Sequence, residues 1–115
     1  MGTSANINVK VGDHYCASYV NFDGYPEHTL TILKKHYTTQ EAALQLVALG
    51  DLSGIDERAN PTEGSGHSYA TPEKGVCIAY GRDRGETGTG MQVSTEPQNT
   101  ESYAYLFENG EWKII

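Results

Sequence analysis

The sequence predicts an α+β domain, an antiparallel or mixed sheet of about five to six strands with two helices packed on one face. Three observations point there. Strand-like alternation dominates both ends of the chain, and two helical patterns run one after the other between residues 28 and 49. The resulting order β-β-α-α-β-β-β-β groups the helices instead of interleaving them with strands. At 115 residues the chain has length for one core, so residues 1–115 are read as a single domain.

Ile7, Val9 and Val11 alternate with polar residues, Gly12-Asp13 interrupts, and Tyr15, Ala17 and Tyr19 resume the alternation. Two antiparallel strands around a short turn require this pattern. Asn21 to Pro26 concentrates turn formers, and Pro26 and Glu27 suit the first turn of a helix. A short helix is expected over about 28–36, with Leu30, Leu33 and Tyr37 on one face. A second begins at Thr38, with Glu41 completing a capping box and Ala43, Leu44, Leu46, Val47 and Leu49 forming a broad apolar surface. Gly50 stops it as the residue just past the helix end. Residues 51–74 carry three glycines and two prolines without sustained periodicity and read as a long loop, with one helical turn near 55–58. Gly75 to Tyr80 is expected to be a buried, central strand. Residues 81–90 form a glycine-rich loop, and 91–95 a brief strand. Tyr103, Tyr105 and Phe107, then Asn109-Gly110, then Trp112 and Ile114, predict a terminal hairpin closed by a type I′ turn.

Composition limits the partners. Eight Lys and Arg against fifteen Asp and Glu give a formal charge of −7, which repels long phosphate backbones and anionic membrane surfaces. No stretch approaches the roughly 18 apolar residues of a membrane span, and the start lacks the basic and apolar regions of a secretory signal, so a cytoplasmic location is expected. Cys16 and Cys77 lie too far apart in sequence for a CxxC pair and are read as buried thiols. No cofactor or metal is expected. A zinc site from His14, Cys16 and the scattered His28, His36 and His67 would have to be assembled from distant segments.

Two constellations carry chemistry. Gly81-Arg82-Asp83-Arg84-Gly85-Glu86 holds two of the three arginines. In an extended loop Arg82 and Arg84 would project to one side and Asp83 to the other, and guanidinium forks match phosphate oxygens. The alternative is a solvated loop whose arginines pair with nearby acids. The second constellation is Phe22-Asp23-Gly24-Tyr25-Pro26-Glu27-His28, where Phe22 and Tyr25 offer faces to a planar base and Asp23 and His28 offer hydrogen bonds to a ribose or amine. The alternative there is a turn in which Tyr25 packs and Asp23 satisfies backbone N–H groups.

The start Met1 to Ile7, Asp23-Gly24-Tyr25-Pro26-Glu27-His28, Leu49-Gly50-Asp51-Leu52-Ser53, Ala79 to Glu86, and Tyr105-Leu106-Phe107 with Trp112 resemble a family of small proteins encoded by tailed bacteriophages and prophages. The family pattern has Arg after Met-Gly-Thr and Cys-His-Trp before Asp-Gly-Tyr-Pro, where this chain has Ser4 and Val20-Asn21-Phe22. The resemblance implies an accessory protein made in the bacterial host cytoplasm that counters host defence. One expectation is capture of a small nucleotide-type immune signal, a cyclic nucleotide or ADP-ribose derivative. It would bind through Arg82, Arg84, Asp83, Phe22, Asp23, Tyr25 and His28, in a homo-oligomer paired through the terminal hairpin. A second is an acidic inhibitor that competes for the basic groove of a host defence protein. A third is a hydrolase of the same nucleotide using Asp23 or Asp83 as base.

Overall fold

The computed structural model describes residues 3–115, so the Met1-Gly2 start of the phage-like pattern lies outside the described residues. The strands are β1 (Ala5–Val11), β2 (His14–Val20), β3 (Leu52–Gly54), β4 (Ile78–Ala79), β5 (Gln92–Ser94), β6 (Tyr103–Glu108) and β7 (Glu111–Ile114). The helices are α1 (Thr31–His36), α2 (Gln40–Val47) and α3 (Tyr80–Arg84), with a π-helical turn at Pro26–Leu30 leading into α1. They form an α+β fold on one mixed sheet in the order β4-β3-β2-β1-β6-β7, with β5 also pairing with β2. Among the described residues no helix is long and apolar enough to cross a membrane.

Both hairpins stand as the alternation predicts. β1 pairs with β2 across Gly12-Asp13, and β6 with β7 across Asn109-Gly110, whose φ values of 54° and 82° suit a type I′ turn. β1 lies between β2 and β6, antiparallel to the first and parallel to the second. The two-residue period sends Ile7, Val9, Tyr105, Phe107 and Trp112 toward the helices, where Leu33, Tyr37, Leu46 and Val47 complete the core. Trp112 meets Phe107 edge-on at 5.2 Å and donates its Nε1–H to the Tyr37 carbonyl at 2.7 Å, so the ring is buried without an orphaned donor.

The opposite face is polar yet also covered. Asn8 is fully buried and Asn6 nearly so. The Asn8 amide accepts from Gln98 N–H (2.8 Å) and donates to the Gln98 and Tyr105 carbonyls, while Asn6 accepts from Thr100 N–H (2.7 Å) and Glu101 N–H (3.1 Å). These amides strap residues 98–101 across the sheet and satisfy backbone groups that would otherwise be buried unpaired.

Several expectations are corrected. The second helix is capped by Thr39, whose hydroxyl accepts from Ala42 N–H at 3.1 Å, so Thr38 and Glu41 form no capping box. The helix ends at Val47 with Ala48 as its C-cap, so Gly50 stands one residue beyond the position expected of it; it closes the turn that follows, with φ 81° and an N–H bonded to the Val47 carbonyl. The 75–80 strand contracts to Ile78–Ala79 at a sheet edge; Val76, Cys77 and Ala79 are buried, but by loops and helix, not by central pairing. The 51–74 loop contains β3, which pairs with β2 at Val20, and 55–58 makes a bridge from Arg58 to Val76 instead of a helical turn. Of the cysteines, Cys77 is buried and burial pushes its thiol up; Cys16 is only partly covered.

Candidate functional site

The turn after β2 is held by the backbone. Asn21 and Phe22 donate N–H groups to the Leu52 and Ser53 carbonyls, Gly24 donates to Thr3, and the Tyr105 hydroxyl donates to the Gly24 carbonyl at 2.6 Å. A Cβ on Gly24 would sit 2.8 Å from Ala5 N, so only glycine fits. Asp23 takes a left-handed φ of 58°, and its carbonyl accepts from the Thr29 hydroxyl; its carboxylate makes no hydrogen bond among the described residues. Phe22 and Tyr25 stay 45% and 37% exposed, and His28 stands 6.2 Å from Tyr25 between ring centroids. The backbone caps thus fall to other groups, and both aromatics are left facing solvent.

The arginine segment is not an extended loop. Residues 80–84 form one helical turn, α3, because the Asp83 carboxylate accepts the Ala79 N–H at 2.8 Å at its start and Gly85 closes it at φ 76°. On a helix, positions two apart point to different sides, so Arg82 and Arg84 part company. Arg82 turns inward. Its Nε and Nη2 donate to Asp83 at 2.8 and 3.0 Å, Nη2 also donates to the Cys77 carbonyl at 2.7 Å, and Nη1 donates to the Ala59 carbonyl. Four of the five guanidinium donors are committed. Asp83 also receives buried His67, whose Nε2 lies 3.1 Å from its Oδ2. Glu73 N–H donates to His67 Nδ1 at 2.9 Å, which assigns the imidazole proton to Nε2, facing Asp83. Burial is the largest influence on Asp83 and pushes its carboxyl up, but the bonds from Arg82, Ala79 and His67, with the Arg82 charge, outweigh it and hold it below the usual range.

This knot also tethers the preceding loop. Arg58 bonds Glu73 at 2.7 Å, and hydroxyls of Ser65 and Thr62, the Thr62 N–H and Arg58 lower Glu73 to about 2. Arg82 and Asp83, expected to bind ligand, therefore position loops, and a base role for Asp83 is withdrawn because its lone pairs are occupied.

Arg84 points outward. Its side chain is 54% exposed, its Nε lies 3.4 Å from Glu86, and its Cζ sits 5.1 Å from the centre of the Tyr69 ring. Tyr69 stacks with Tyr80 (6.3 Å between centroids, 29° between planes), and Asn21 Nδ2 donates to the Tyr80 hydroxyl at 3.0 Å. Arg84, Tyr69, Tyr80 and Asn21 are thereby linked in one chain of contacts, and exposed Phe22 follows Asn21 in sequence. Tyr25 and His28 make no hydrogen bond or ring contact with this group among the described residues. Sequence reasoning gave Tyr69, Tyr80 and Asn21 no part in a site and weighed His67 only as a zinc ligand. Tyr69 and His67 lie in a segment without periodicity, and only the spatial return of that segment onto α3 gives them a role.

Clefts of about 400, 210 and 190 Å³ indent the surface, and none of these three is lined by the described residues expected to bind ligand. The 210 Å³ cleft lies over the polar sheet face between Tyr19, Asp51, Gln92, Gln98 and Glu101, and has no Lys or Arg. Burial, then the Glu101 charge, raises the Asp51 carboxyl against a hydrogen bond from the Tyr19 backbone. Such a lining disfavours a phosphate. Among the described residues no three His, Cys, Asp or Glu side chains gather as a metal set. Comparison with protein-family models, curated proteins and solved structures returned no match.

Proposed function

We propose that the protein is a phage accessory protein that binds and sequesters a small nucleotide-type immune signal, a cyclic nucleotide or ADP-ribose derivative, through Arg84, Tyr69, Tyr80, Asn21 and Phe22. The observation that carries this is the outward Arg84 guanidinium lying over Tyr69 of a stacked tyrosine pair. A base stacks on such rings at about 1–3 kcal/mol each. A phosphate oxygen would compete with the exposed Glu86 for Arg84, at about 1.5–3 kcal/mol per charge-assisted bond. Calorimetry against cyclic dinucleotides and ADP-ribose derivatives tests it. Arg84→Ala and Tyr69→Ala should each weaken binding about tenfold or more, with the fold intact by circular dichroism. If no nucleotide of the panel binds at low salt, the reading falls. Heating a loaded sample then separates capture from the hydrolase alternative: intact nucleotide marks a sponge, product an enzyme.

A second reading, the acidic inhibitor of a host defence protein, is favoured by a different observation. Of the eight Lys and Arg, five lie within ion-pair distance of Asp or Glu, leaving Lys34, Lys35 and Lys74 unpaired among the described residues. The field outside the molecule is then set by unpaired carboxylates, which suits docking on a basic groove. Pull-down from host lysate should recover a basic protein whose retention falls steeply with salt. Recovery of nothing at low salt would remove this reading.

A further inference from the structure

We propose that β7 is the interface of a homodimer, in which two copies pair their β7 edges antiparallel about a two-fold axis through Trp112. Among the described residues β7 ends the sheet, so its outer side is unpaired. Ile115 N–H donates to the Ala104 carbonyl and Lys113 lies opposite Leu106, so the backbone groups of 111, 113 and 115 face β6. Alternation then turns those of Trp112 and Ile114 outward. Only outward groups can bond a second edge, so the two-fold axis passes through a residue position and not between two, and axes at 112 and 113 are the ones that keep most of β7 paired.

Charge decides between them. An axis at 113 sets Lys113 against the second copy's Lys113. An axis at 112 sets Glu111 against the second copy's Lys113 and the reverse, on the same sheet face, giving two cross-strand ion pairs. Lys113 now contacts Glu108 at 2.9 Å, and Glu108 keeps Lys10 at 3.0 Å if Lys113 turns outward. Shape agrees with the same axis. Ile114, 52% exposed on the helix side of the sheet, falls opposite the second copy's Gly110. Gly110 lies at the 190 Å³ cleft lined by Lys34, Thr38, Glu111 and Trp112, with open space where a Cβ would stand. One edge therefore offers a knob and the other its hole, twice over by symmetry.

This inference is independent of the ligand. Sedimentation equilibrium of the full chain over a concentration series should show the mass rising to twice that of the monomer. Lys113→Glu, which sets like charges opposite each other twice, should weaken the dimer by about tenfold or more. Adding Glu111→Lys should restore it, and Ile114→Asp should leave a folded monomer. A wild-type monomer at every concentration overturns the proposal. So does a dimer insensitive to Lys113→Glu, or a folded double variant that stays monomeric.

Discussion

Replacing Arg82 with alanine should be a stability mutation, whereas replacing Arg84, two residues away, should not. Arg82 holds the Asp83 carboxylate twice and the carbonyls of Ala59 and Cys77, residues 7% and 0% exposed. Removing one partner of a buried, hydrogen-bonded charge pair costs about 3–5 kcal/mol. A quarter of the Arg82 side chain is solvent-exposed, so water replaces some of the lost bonds and we expect about 3 kcal/mol. At about 0.05–0.15 kcal/mol per residue the domain holds roughly 6–17 kcal/mol in all, so the loss is a large share. The melting temperature should fall by about 10–15 °C. Arg84→Ala removes an exposed pair and a surface ring contact and should cost about 0.5 kcal/mol or less. Urea unfolding followed by circular dichroism measures both, with an unchanged slope showing that the denatured state is not altered. A cost below about 1 kcal/mol for Arg82→Ala, or equal costs for the two variants, refutes the assignment of Arg82 as a structural clamp.

The Ser18 hydroxyl is buried without a hydrogen-bond partner among the described residues, on the sheet face it shares with Ile7, so Ser18→Ala should raise stability by about 1 kcal/mol in the same urea assay. Gly50 combines φ 81° with a Cβ position that would collide with the Thr89 carbonyl oxygen; Gly50→Ala should cost about 3 kcal/mol or more and give little folded protein at 37 °C. Folding lowers the carboxyls of Glu73, Asp83 and Glu108, so the stability they contribute is complete above the ordinary carboxylate range. It is lost as the pH falls from about 4.5 toward 2, and Glu73→Gln should flatten that part of the stability profile. Asp51, raised by burial, acts with the opposite sign: its protonation on acidification stabilises the fold, and Asp51→Asn should raise the melting temperature at neutral pH.

What the sequence conveyed follows from how local each signal is. The two hairpins and the turn after α2 are written in neighbouring residues: two-residue alternation, Asn109-Gly110, and a glycine free to adopt positive φ. The alternation also places Asn6 and Asn8 opposite Ile7 and Val9, but gives no sign that residues 98–101 would bury them. β3 is three residues long and exists because Leu52 meets Val20, which no periodicity announces. α3 contains Gly81, a poor helix former, and is fixed by one carboxylate reaching back four residues. For the candidate site, composition located the arginines but not their directions. The direction of Arg82 is decided by carbonyls 23 and 5 residues upstream, and Arg84 acquires its aromatic partner from position 69.

The parallel pairing of β1 with β6 has a consequence for how the chain is made. Ala5 lies opposite Tyr103 and Val9 opposite Phe107, so the inner strand waits for about a hundred further residues before one of its sides is matched. A ribosome-bound fragment has the β1-β2 hairpin and the helices, but lacks Tyr105, Phe107 and Trp112 to close over them. Vectorial synthesis therefore cannot complete this core in stages, and the domain should acquire its native state only once residues 103–114 have emerged and the β6-β7 hairpin can pair with β1.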